Sequence, residues 1–184
     1  MLTDYQKKKA TTTFYQFDAN NNGTLDYGDF TAHAHFIKEK KGWADDYPQF
    51  IRLMEAKREA WHELHAHIDA NNDDLLTLDE WLAFCDNINS KTETNGKPPA
   101  WLTRIHYLIF QSIDLDGDGK IGPQEYGLYL KSIRVEDGIE EAFQRVDANG
   151  DGVIDLEEVE DLWTQWILSN DPSDPGNYFM TGMV

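Results

Sequence analysis

The chain has 184 residues, 34 acidic and 16 basic, for a formal net charge of −18. That sign argues against nucleic acid or an anionic membrane surface as a partner, because binding phosphate takes basic surface. With 40% apolar and 12% aromatic residues, the chain is too apolar for a disordered acidic segment and long enough for one large or two small cored domains.

The opening stretch, MLTDYQKKKATTTF, has lysines but no apolar run of the kind a secretory signal contains. No stretch approaches the roughly 20 apolar residues of a membrane span. Residue 2 is leucine, and the final MTGMV lacks a prenylation cysteine, so no lipid anchor is expected. The expectation is a cytoplasmic, monomeric chain. The lone cysteine, Cys85, rules out an intrachain disulfide and is expected to be a small buried side chain on a helix.

Phe14 and Phe17 mark the core face of a helix that runs into DANNNGTLDYGD, Asp18–Asp29. Phe30 starts the core face of the next helix. A long helix is expected from about Asp45 to Ile68, carrying HELHAH (His62–His67). It enters DANNDDLLTLDE, Asp69–Glu80, with Trp81 beyond. SKTETNGKPP (Ser90–Pro99) reads as a polar linker with turn residues. Phe110 and Ile113 then lead into DLDGDGKIGPQE, Asp114–Glu125, followed by Tyr126. Phe143 and Val146 lead into DANGDGVIDLEE, Asp147–Glu158, followed by Val159. Pro123 fits the first turn of a helix, where its missing N–H costs nothing.

The four stretches are one motif repeated. Each has twelve residues, Asp at position 1, Asp or Asn at 3 and 5, Leu or Ile at 8, and an acid at 12. Seventeen of the 34 acidic residues lie inside them, against one basic residue, Lys120. This is the pattern of the EF-hand calcium loop. Ca²⁺ takes six to eight oxygens at about 2.3–2.6 Å, which positions 1, 3, 5, 9 and 12 and the carbonyl of 7 can supply. Glycine at 6 permits the sharp turn. Leu25, Leu76, Ile121 and Ile154, at position 8, are expected to pair the loops through short strand contacts.

The candidate ligands of loop one are Asp18, Asn20, Asn22, the Thr24 carbonyl, Asp26 and Asp29. Asp29 is one methylene shorter than glutamate, which favours six-coordination and Mg²⁺. In loop two they are Asp69, Asn71, Asp73, the Leu75 carbonyl, Thr77 and Glu80, with Asp74 where glycine is expected. In loop three they are Asp114, Asp116, Asp118, the Lys120 carbonyl and Glu125, with Gly122 leaving position 9 to a water. In loop four they are Asp147, Asn149, Asp151, the Val153 carbonyl, Asp155 and Glu158. Three or four Ca²⁺ ions are expected, with Mg²⁺ competing most in loop one.

The loop starts are 51, 45 and 33 residues apart. With PPAWLTRIHYLIFQSID and LWTQWILSNDPSDPGNYFMTG, that organisation resembles the sarcoplasmic calcium-binding proteins and calexcitins over essentially the whole chain. The resemblance implies an all-α fold with four EF-hands in two pairs, packed into one compact unit through aromatic faces. The expected units are 1–90, a linker at 91–99, 100–168, and a tail at 169–184 that folds back. In that family the first loop can end in Asp and the second can lack glycine at 6.

The function expected is a Ca²⁺- and Mg²⁺-binding buffer without catalytic activity. HELHAH is not HExxH, because residue 66 is alanine, and HAH (His33–His35) puts its rings on different helix faces. These histidines are expected to be polar helix residues. One rival is a calcium sensor acting on a protein target, although four methionines suit a Met-rich groove poorly. The other is a coelenterazine-binding or photoprotein-like protein. Against the photoproteins stand the intact second loop, Trp163 in place of a histidine, and Val184 in place of a terminal proline.

Overall fold

The computed structural model describes residues 1–182; Met183 and Val184, the end of the expected tail, lie outside the described residues. In chain order the elements are α1 (Asp4–Phe17), β1 (Thr24–Leu25), α2 (Tyr27–Lys41), α3 (Pro48–Ile68), β2 (Leu76–Thr77), α4 (Leu78–Asn95), α5 (Ala100–Ile113), α6 (Pro123–Ser132), α7 (Ile139–Val146), α8 (Leu156–Leu168) and α9 (Pro175–Thr181). The fold is all-α, with two short strands between the first two loops.

The loop sequences start their own exiting helices. Position 9 is the N-cap and position 12 is N3, so Asp26/Asp29, Thr77/Glu80 and Asp155/Glu158 form reciprocal capping boxes. Gly122 contributes only its N–H, which donates to Glu125 Oε2 at 2.9 Å. Pro123 stands in the first turn of α6 as expected. The helix at Asp45 starts later than expected, at Pro48, since proline fits the first helical position and Tyr47 precedes it extended. The linker is shorter than expected. α4 continues through Asn95 with Ile88, Asn89 and Thr92 buried along one face, the Thr92 hydroxyl donating to the Ile88 carbonyl, and Gly96 ends the helix in the left-handed conformation at φ +71°.

The loops pair as the position-8 residues predict. Leu25 opposes Leu76 in an antiparallel register, and Ile121 and Ile154 exchange two N–H···O bonds of 2.9 Å. All four side chains are at most 1% exposed. Behind them one apolar core runs through both pairs. It takes Phe14, Phe30, Trp61 and Trp81 from the first, and Phe110, Tyr126, Phe143 and Trp163 from the second. Cys85 is buried in it. A smaller cluster of Ala34, Ile37, Phe50 and Leu53 takes in Leu115 from loop three. The halves interleave: α3 packs along α5, α2 along α6, and α4 along α8.

The tail folds back, and DPGN explains how. A β-carbon at Gly176 would come within 2.6 Å of Gln165 Cβ and 2.7 Å of the Trp166 nitrogen, so only glycine lets α9 lie this close to α8. Asn177 is fully buried; it donates to the Asp171 carbonyl at 2.8 Å and accepts from Lys9 Nζ at 3.1 Å. Lys9 also donates to the Ser169 carbonyl at 2.8 Å, and burial lowers its pKa to about 8. Phe179 and Met180 are buried against the core.

Candidate metal centres

Each loop is held by the same ladder of Asx turns. The first aspartate accepts from the position-6 N–H: Gly23 to Asp18 at 2.9 Å, Asp74 to Asp69 at 3.1 Å, Gly119 to Asp114 at 3.0 Å, and Gly152 to Asp147 at 2.9 Å. Position 3 accepts from the N–H of 5, at Asn20, Asn71, Asp116 and Asp151's partner Asn149. Position 5 accepts from the N–H of 7, at Asn22, Asp73, Asp118 and Asp151. The closing acid spans the loop: one oxygen accepts from the N–H of position 2 and the other from that of position 9. For Asp29 these distances are 3.0 and 2.9 Å, and for Glu125 2.8 and 2.9 Å. Short Asp29 thus reaches the same two groups as a glutamate. The corresponding bonds of Glu80 and Glu158 lie between 3.0 and 3.2 Å.

This ladder fixes the carboxylates without neutralising them. Asp18 and Asp29 are each 1% exposed and Asp114 is 9% exposed. Among the described residues no lysine or arginine forms an ion pair with a loop carboxylate. Burial pushes the Asp29 and Glu125 carboxyls above their ordinary pKa, against the pull of their N–H donors. Buried anions without a cationic partner are costly. Oxygens of Asp114, Asp116 and Glu125 lie within 4.8 Å of one another. Such an all-oxygen, multiply anionic donor set fits a hard divalent cation.

Loop two differs in two ways. Asp74 adopts the left-handed conformation that glycine takes at this position, at φ +64°. Its carboxylate then lies 3.2 Å from His65 Nε2, which is also 2.7 Å from Asp69 Oδ2. This histidine partner was not read from the sequence, although its place one turn before Asp69 is visible there. Two other helix histidines are buried. His33 and His106 are each 2% exposed, and burial lowers both pKa values to about 3. His33 Nδ1 meets the Ser132 carbonyl at 2.9 Å, and His106 stacks on Trp163 with centroids 4.8 Å apart.

Known proteins share this arrangement. A family model described as an EF-hand domain pair matches residues 102–164, and one described as an EF hand matches 11–32. The chain is 31% identical to a sarcoplasmic calcium-binding protein alpha chain from Penaeus vannamei, over 86% of each chain. The chain belongs to the sarcoplasmic calcium-binding protein family. The amphioxus member's structure superposes with a TM-score of 0.72 at 25% identity, covering 98% of both chains. A coelenterazine-binding protein from Renilla muelleri superposes with a TM-score of 0.73 over the full length of both chains; at 16% identity that likeness is one of fold. Membership establishes Ca²⁺ as the ligand class. Among the described residues no helix is long and apolar enough to cross a membrane.

Proposed function

We propose that this protein is a cytoplasmic calcium buffer, a monomer that holds three or four Ca²⁺ ions without opening a groove for a protein target. The ligands are the side chains and position-7 carbonyls named for the four loops. Loops three and four supply tight sites, and loop one accepts Mg²⁺ most readily because of Asp29. The observation that carries the reading is the main core shared by both pairs. The aromatic faces of both EF-hand pairs are buried against each other, and Phe179 and Met180 of α9 lie against them. A sensor presents such faces to a target once its helices open.

A bulky ligand between the pairs is poorly accommodated. The apolar cavity lined by Trp81, Tyr129, Trp163 and Trp166 has a volume of about 50 Å³. An engineered cavity of about 150 Å³ takes ligands as small as benzene or xenon. The discriminating experiment is hydrophobic-dye fluorescence on the full chain, with Ca²⁺ and with chelator. A buffer gives equal or lower fluorescence with Ca²⁺, and a clear rise would replace this reading with the sensor.

A further inference from the structure

The two EF-hand pairs meet through contacts that land on the ion loops. Arg134 follows α6 in the left-handed conformation, at φ +67°. Its guanidinium donates to the carbonyls of Tyr15, Gln16 (3.4 Å) and Asp18 (2.9 Å), and to Asn21 Oδ1 (2.8 Å). These are the terminal carbonyls of α1 and the first turn of loop one, groups that need donors from outside the helix. Two residues earlier, the Ser132 carbonyl meets His33 Nδ1 at 2.9 Å. His33 lies one turn past Asp29 on α2. The end of α6 thus grips both helices that flank loop one, while its first turn carries Glu125, the closing acid of loop three.

The reverse grip is also present. Arg52 of α3 donates to the Leu115 carbonyl of loop three at 3.3 Å, and its guanidinium lies against Gly117. The Leu115 side chain packs in the cluster built by α2 and α3. The other three loops have alanine at this position.

We propose that Arg134 is a positioning residue for loop one that couples its ion affinity to the occupancy of loop three. An ion closing on Glu125 fixes the start of α6. This ten-residue helix carries that setting to Ser132 and Arg134, and so to the end of α1 and the start of α2. The strand contacts do not supply this link, because they join loop one to loop two and loop three to loop four. The proposal rests on the reading of the loops as ion sites.

Each loop has its own reporter for the test, the position-6 amide that donates to the first aspartate. Ca²⁺ is titrated into the full ¹⁵N-labelled chain while the amides of Gly23, Asp74, Gly119 and Gly152 are followed. Glu125→Gln should weaken binding at Gly23 by about fivefold or more, the lower end of ordinary coupling between sites. In an Arg134→Gly background the same substitution should change Gly23 by less than about twofold. Glycine suits the backbone at this position, so the guanidinium is removed without strain, and the Gly152 amide reports that the fold persists. In the arginine-containing protein, Asp29→Asn should weaken loop three by the same factor, because coupling is reciprocal. The proposal is overturned if Glu125→Gln leaves Gly23 unchanged, if both backgrounds respond equally, or if reciprocity fails. Silence of all four amides would instead remove the ion-site reading, and the proposal with it.

Discussion

Replacing Phe179 with alanine tests the covered core at the point where α9 closes it. The ring is fully buried and stacks on Tyr126, with centroids 6.3 Å apart and planes inclined by 13°. Tyr126 in turn donates its hydroxyl to the Tyr178 carbonyl at 2.8 Å, so ring and backbone dock together. Removing a buried phenylalanine ring costs about 3–5 kcal/mol. For a chain of this size each kcal/mol lowers Tm by about 2–4 °C, so a drop of roughly 6–20 °C is expected. Tyr126 directly follows Glu125, so the loss should reach loop three as weaker Ca²⁺ binding at Gly119. The assays are thermal unfolding followed by circular dichroism at saturating Ca²⁺, and dye fluorescence on the same variant. A Tm change under about 2 °C with unchanged dye signal would refute the claim that α9 seals the core.

Glu125→Gln and Glu158→Gln should each remove one tight site from a calorimetric Ca²⁺ titration; a trace that neither variant changes contradicts the ligand assignment. Asp29→Glu should raise the Ca²⁺ preference of loop one, and unchanged Mg²⁺ competition at the Gly23 amide would refute the arm-length argument. His106 remains neutral in the folded protein down to about pH 3 but protonates near 6.5 when unfolded, so it contributes stability at neutral pH that is lost as pH falls below 6.5. His106→Phe should flatten the fall in urea-unfolding free energy between pH 6.5 and 5.5 by on the order of 1 kcal/mol; an unaltered slope would show that burial does not hold this ring neutral.

The ion loops were legible because their geometry is local. Every bond of the ladder from Asp18 to Asp29, or from Asp114 to Glu125, joins residues within eleven positions, so spacing alone encodes it. Leu25, Leu76, Ile121 and Ile154 pair across longer separations and were legible because each holds position 8 of the repeat. Arg134, Arg52 and His33 were not, because their partners are 63 to 119 positions away and nothing beside them in the sequence marks a partner. Leu115 carried a faint signal, as the one apolar side chain larger than alanine at position 2 of the repeat. The linker misled because SKTETN is polar throughout, and apart from buried Thr92 its residues suit an exposed helix face as well as a loop.

A calorimetric titration of the ion-stripped full chain with Ca²⁺ tests the central claim most directly. Four loops with complete donor ladders, and carboxylates that among the described residues have no lysine or arginine ion pair, predict three or four equivalents, with stability rising as the ions bind the folded form alone. Two equivalents or fewer, or binding that leaves Tm unchanged, would contradict it.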